Sequence, residues 1–252
     1  MAESESSESL SDGEKIRGGR SGAVALGLFV AGLSVAHFGI LPPLAGFGIL
    51  ALSIPVALFA FVASVARLIR SRTLSAEQRS TTRIRAASGL VDALIVLIFV
   101  GVGASAGMGL PRINDITTDL DDPPVFIHAG TLGANQGRDM AYPGESFARQ
   151  QLRGYPDLGN LVLDEAPPRA FAAVRSALVS LDDTEITFED PNSGHIEATT
   201  TSFAFRFVDD VVVRLREVSG GTKIDIRSKS RDGKGDMGAN AARIREIFAA
   251  LG

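Results

Sequence analysis

Residues 224–251 read Ile224-Asp-Ile-Arg-Ser-Lys-Ser-Arg-Asp-Gly-Lys-Gly-Asp-Met-Gly-Ala-Asn-Ala-Ala-Arg-Ile-Arg-Glu-Ile-Phe-Ala-Ala-Leu251, and the pattern changes twice along them. The opening alternates with a period of two, as a strand does. A Gly-rich joint follows. Then Ile244, Ile247, Phe248 and Leu251 recur at i, i+3, i+4 and i+7, the apolar stripe of an amphipathic helix from about Gly238 to Leu251. Asp236 stands where a side chain can cap that helix. Arg227, Lys229, Arg231 and Lys234 crowd the joint. Exposed N–H groups and the helix dipole add to such charge, so the joint suits an anion.

A strand that feeds a helix needs a sheet to join, and the residues before it supply one. Pro167-Pro168 opens a helix at a position where proline is welcome, and Phe171, Val174, Leu178 and Leu181 form its apolar face. After Asp182-Asp183 the period becomes two. Pro191-Asn-Ser-Gly194 signals a turn, which pairs Phe188 with Ile196 and Ile186 with Ala198. The parity slips before Phe203, predicting a bulge or bend in Thr199–Ser202. Phe203, Phe205 and Phe207 then continue the apolar face, with a tight turn at Val208-Asp209-Asp210 setting Val211, Val213 and Leu215 opposite them. A hairpin at Gly220-Gly221 places Leu215 against Ile226, Arg216 against Asp225 and Arg214 against Arg227. The result is an α+β domain over 110–252, with an antiparallel meander, two helices on its apolar face and a basic outer face. Pro111 to Pro168 shows turns and short extended pieces without helical periodicity.

The N-terminal half is of another kind. Residues 1–20 are acidic, Ser-rich and too poor in apolar groups to fold, which predicts disorder. Apolar runs at about 21–41, 44–66 and 86–108 each approach the roughly 20 residues that cross a bilayer as a helix. Pro42-Pro43 divides the first two, and Pro55 interrupts the second. Six arginines between Arg67 and Arg85 mark the cytoplasmic side, joined there by Lys15, Arg17 and Arg20. Three spans then put the C-terminal domain in the periplasm of a bacterium, the inner membrane holding the anchor. A cleavable signal ending near Ser34-Val35-Ala36 is the competing reading and leaves the domain on the same side. Asp92, in the third span, reads as snorkelling toward the arginines or pairing with Arg83 or Arg85 rather than as part of an ion path.

Several blocks resemble a known family in order. They are Pro111-Arg-Ile-Asn-Asp-Ile-Thr-Thr-Asp119 with Asp122-Pro-Pro124, Tyr155-Pro-Asp-Leu158, Gly194-His-Ile-Glu-Ala198, Phe207-Val-Asp-Asp-Val-Val-Val-Arg214, Ile226-Arg-Ser-Lys-Ser-Arg231 and Asp236 to Ile244. Together they resemble the domain-of-unknown-function family 1499 from about Pro111 to Leu251. Its similar proteins are membrane-attached in bacteria or associated with plastids. The resemblance implies no activity and supplies no catalytic residues. An aromatic expected near Asp183-Thr-Glu185 is missing here.

Composition narrows the chemistry. The 252 residues carry a formal net charge of −4, no cysteine and three histidines. Nucleic-acid binding is disfavoured, and thiol catalysis and thiolate metal sites are excluded. Ser228 and Ser230 lack a local base, and no nucleophile elbow occurs. Glu189 opposite His195 reads as an ordinary contact rather than a metal site, and the glycines of 233–238 lack a nucleotide-binding context. No cofactor, metal or catalytic residue follows. The candidate anion-binding set is Arg214, Arg227, Lys229, Arg231, Lys234 and Asn240. Its bland alternative is an exposed face kept soluble by pairing with Asp225, Asp232, Asp236 and Glu217. The expected function is binding an anionic ligand, a lipid headgroup or an envelope protein partner. The other reading is an enzyme of unknown class using Asp115, Asp119 and Tyr155. Membrane lipids are expected partners; nucleic acid is not.

Overall fold

A computed structural model describes residues 4–252, with side chains from Arg20 onward, and the chain divides between Ser105 and Ala106 into two compact units. The N-terminal unit holds α1 (Ser4–His37), α2 (Pro43–Arg70) and α3 (Ala76–Ala106). All three are long and apolar enough to cross a membrane, over Arg20–His37, Pro43–Thr73 and Ala76–Ala106. Pro42 caps α2 and Pro43 opens it, where a missing N–H costs nothing. The helices overrun the apolar runs. α1 begins at Ser4, inside the stretch expected to be disordered, and α3 takes in ten residues before Ala86, eight of them polar. Extending a formed helix is far easier than nucleating one, so an apolar segment carries its polar neighbour with it. Residues 1–3 and the side chains before Arg20 lie outside the described part.

Lipid-phase helices associate through small residues that let backbones meet. α2 buries Gly46, Ser53, Ala57, Ala60 and Ser64 along one stripe. A Cβ on Gly32 would lie 2.6 Å from the Gly46 carbonyl oxygen, so only glycine permits this α1–α2 approach.

The C-terminal unit is the α+β domain. Its strands are β1 (Asp115–Thr117), β2 (Leu161–Leu163), β3 (Thr184–Asp190), β4 (His195–Thr201), β5 (Val208–Val218) and β6 (Gly221–Ser230). They form one antiparallel sheet in the order β1-β6-β5-β4-β3, with β2 following β1 end to end along the free edge of β6. Helices α5 (Pro167–Ser180) and α6 (Ala239–Ala249) pack on one face. There Phe171, Val174, Leu178, Ile244 and Ile247 meet Ile196, Val211, Val213, Ile224 and Ile226. Asp236 does cap α6, its carboxylate accepting from the Gly238 and Asn240 N–H groups at 2.9 and 3.0 Å.

Four local expectations are corrected. The β5–β6 turn is Ser219-Gly220, one residue early, so Leu215 faces Ile224, Arg214 faces Asp225 and Val212 faces Arg227. Gly221 is kept for the sheet edge: its φ is +135° and a Cβ there would meet the Leu163 carbonyl oxygen at 1.9 Å. The β4–β5 turn spans Ser202–Phe207, closed by the Ser202 hydroxyl on the Phe207 N–H, so Val208-Asp209-Asp210 is strand and Phe203 is exposed. The bulge lies at Thr187, between Ile186 and Phe188, and moves Phe188 from Ile196 to Glu197. Finally, Glu145–Gly154 forms a helix, α4, whose Gln151 amide extends the β1 edge by bonding the N–H and C=O of Thr117 at 3.1 and 2.6 Å.

Candidate functional site

Strand alternation decides what each β6 residue can touch. Ile224 and Ile226 face the helices, and so do Ser228 and Ser230. Asp225, Arg227, Lys229 and Arg231 face the opposite side. That side is covered by the segment from Thr118 to Gly144, where Phe126, Ala129 and Met140 pack with Val212. The basic face is therefore a buried charge layer, and acids meet the cations within it.

Arg227 is 1% exposed and forms a two-pronged pair with Asp115, both bonds 2.8 Å. It also donates to the Pro124 and Met140 carbonyls and lies 4.9 Å from the Phe126 ring centre. Burial and the Asp115 charge, opposed by Arg227, push the nearby Tyr142 phenol up to about 12. Lys229 bonds Asp115 at 3.0 Å, and Arg231 grips Asp210 with two bonds of 3.0 and 2.6 Å. Arg214 lies further along, bridging Asp119, Asp122 and Asp225 with Arg216, while Lys223 joins Asp119 and Asp225. Burial opposes the Asp119 charge, but the Asp122 N–H and the Lys223 ammonium outweigh it and hold its pKa below the usual carboxylate range. Asn240 is buried on the helix side, joined to Ser228, Ser230 and Arg243, whose guanidinium reaches Asp209 at 2.6 Å. Lys234 is exposed in the joint.

The six candidates thus do not form one cluster, and two of them, Lys229 and Arg231, line a common cleft. It has a volume of about 240 Å³ and is open to solvent, its other lining residues being Asn114, Asn135, Arg138, Asp139, Met140, Asp210 and Ser230. Arg138 donates to the Ala134 carbonyl and pairs with Asp232 at 3.1 Å. Asn135 donates to the Ala129 carbonyl and to Asp210, and its buried Oδ1 has no partner. Sequence reasoning missed Asn135 and Arg138, because they lie some 90 residues from β6 in a segment without periodicity. Asp210 was missed as well, because the expected turn at Val208-Asp209-Asp210 took it out of the strand, where it lies opposite Lys229.

A second cluster surrounds Glu197. This fully buried carboxylate accepts from the Ile127, His128 and Ala129 N–H groups at 2.6 to 2.9 Å and contacts His195 Nε2 at 2.8 Å. Burial opposes its charge, yet the His195 contact and the three N–H donors prevail and lower its pKa from 4.5. Glu189 pairs with Arg175 instead, and Asp190 is the residue opposite His195. No group of three His, Cys, Asp or Glu positioned to hold a metal occurs among the described residues. Asp115, Asp119 and Tyr155 do not converge: the acids lie in the charge layer and Tyr155 belongs to the apolar core.

The sequence model of a family described as a protein of unknown function, DUF1499, matches residues 115–251. No curated protein matches the chain. Among solved structures, the X-ray structure of protein CV1439 from Chromobacterium violaceum aligns with 36% of this chain and 90% of its own, at 12% identity and a TM-score of 0.25.

Proposed function

The chain belongs to the DUF1499 family, described as a protein of unknown function, and from that premise we propose that its C-terminal unit binds a small anion in the cleft at the end of β6. One observation carries this reading: the cleft holds cationic donors that its carboxylates leave unused. Lys229 Nζ spends one of three N–H groups on Asp115. Nη1 of Arg231 and Nη1 of Arg138 carry no hydrogen bond among the described residues. The paired acids hold these cations in fixed positions, and fixed donors lose less entropy on binding. The unpaired Asn135 Oδ1 adds an acceptor, which suits an anion that also carries a hydroxyl or acidic proton.

The setting we propose is a bacterial inner membrane, with the arginine-rich segment 67–85 in the cytoplasm and the binding unit in the periplasm. There the anion is a carboxylate or phosphate of an envelope molecule or partner. The first test uses the full chain in neutral detergent, titrated with citrate and with inorganic phosphate. Saturable binding is expected. Lys229→Met with Arg138→Gln weakens it about tenfold or more, as loss of a charge-assisted bond predicts. Absence of saturable binding, or equal affinity in a double variant that melts normally, overturns the reading.

A further inference from the structure

The positive charge of the C-terminal unit is largely matched by carboxylates, whereas five arginines of the N-terminal unit meet none among the described residues. Residues 67–85 carry six arginines and a single acid, Glu77. Setting Arg67 aside, no ion pair joins these arginines to a carboxylate among the described residues. Two of them are nevertheless held in place by neutral groups. Arg79 Nη2 donates to the Leu74 carbonyl at 2.9 Å and to the Arg72 carbonyl at 3.5 Å, and its buried Nε has no partner. Arg83 Nε donates to the Ser71 hydroxyl at 3.2 Å, and that hydroxyl donates to the Leu68 carbonyl at 2.7 Å. The turn Ser71–Thr73 is thereby built around two guanidinium groups that no carboxylate among the described residues compensates.

The same turn adjoins apolar surface on both sides. Ile69 at the end of α2 is 59% exposed, Ile84 in α3 is 68% exposed, and Arg70, Arg72, Arg83 and Arg85 are exposed beside them. A nucleic acid or an acidic protein would answer the cations and leave the isoleucines in contact with polar groups. A phospholipid answers both at once, its acyl chains against Ile69 and Ile84 and its phosphate against the guanidinium forks. We infer that the α2–α3 turn is a headgroup site for an anionic phospholipid, with Arg79 and Arg83 binding the phosphodiester and Arg70, Arg72 and Arg85 supplying the surrounding field.

The test is native mass spectrometry of the full chain released from nanodiscs of phosphatidylcholine with and without phosphatidylglycerol. Wild type is expected to retain phosphatidylglycerol above its share of the disc. Arg79→Gln with Arg83→Gln lowers that enrichment several-fold, and the paired Lys variants restore part of it. Lys229→Met with Arg138→Gln leaves it unchanged, which separates this site from the cleft. Equal enrichment in the Gln variants overturns the inference. So does inorganic phosphate displacing the lipid at low concentration, since the site would then serve the free ion. A third outcome also overturns it: enrichment seen only after Glu3, Glu5, Glu8, Asp12 and Glu14 are neutralised, which assigns the arginines to the chain's own acidic start.

Discussion

Arg227 shows what a buried cation is for in this domain. Alternation along β6 puts it on the charged side of the sheet, but alternation says nothing about its partner. The partner is Asp115, 112 residues earlier, and the pair is closed off by Phe126, Tyr142 and two carbonyl groups. Taking both charges out of water is costly, and their mutual attraction roughly offsets that cost. Removing one partner of a buried pair costs about 3–5 kcal/mol when the other is left alone, and losing Arg227 leaves the buried Asp115 with Lys229 only, which puts the cost toward the lower end. Arg227→Met is therefore expected to lower the calorimetric Tm of the full chain by about 6 °C or more. Adding Asp115→Asn should recover part of the loss, because the buried carboxylate then left to Lys229 alone is gone. A change below about 2 °C in the single variant would remove Arg227 from the structural core and return it to the candidate anion site. The sequence placed this arginine among ligand-binding residues because an acid that distant in the chain leaves no local trace.

At the scale of elements, the layer formed by the Thr118–Gly144 segment matters most, and Glu197 fastens it to β4. Three backbone N–H groups of this segment converge on one carboxylate, so their pairing depends on its charge. The folded pKa of Glu197 lies below its ordinary 4.5, so its stabilising contribution is complete above that value and is lost as the pH falls through the folded pKa. Amide exchange at Ile127, His128 and Ala129 should accelerate in that acidic window before α5 and α6 open. Glu197→Gln should exchange faster at neutral pH and lose that acid dependence. Exchange in wild type that ignores pH below 4.5 would show that other contacts hold the layer. The core helices and four of the strands were legible from periodicity, since Phe171, Val174 and Leu178, or Val211, Val213 and Leu215, leave only one face to bury. The covering layer was not. It is held by carboxylate-to-backbone bonds, which follow no period, and the short helix α4 places only Gln151 wholly out of solvent. Turns were misplaced for a related reason. Gly221 is a glycine because β2 passes close to it, a contact remote in sequence, and it imitated a turn residue.

For the whole molecule, the two units handle charge in opposite ways, and that contrast bears on how the chain sits in a bilayer. In the C-terminal unit Arg214, Arg216, Lys223, Arg227, Lys229, Arg231 and Arg243 each have a carboxylate within 4 Å. A unit so neutralised gives little electrostatic reason to stay on either side of a membrane. Arg70, Arg72, Arg79, Arg83 and Arg85 have no such partner among the described residues, and uncompensated cations beside a span are what fix orientation during insertion. If α2 and α3 each cross once, the segment after α3 emerges on the membrane side opposite residues 67–85. The chain has no cysteine, so single reporters can be introduced without background. Ser75→Cys lies beside the arginine turn, and Ser219→Cys lies in the β5–β6 turn. In right-side-out vesicles a membrane-impermeant maleimide should label Cys introduced at Ser219 and spare the one at Ser75 until the membrane is opened. Exchanging Arg70, Arg72, Arg83 and Arg85 for Gln should weaken that asymmetry, producing a population labelled at both positions. Labelling of the Ser75 position alone in intact vesicles would reverse the orientation and put the cleft in the cytoplasm. The anion-binding assay would be unaffected, because the fixed cations of the cleft depend on Asp115, Asp210 and Asp232 and not on the side of the membrane they occupy.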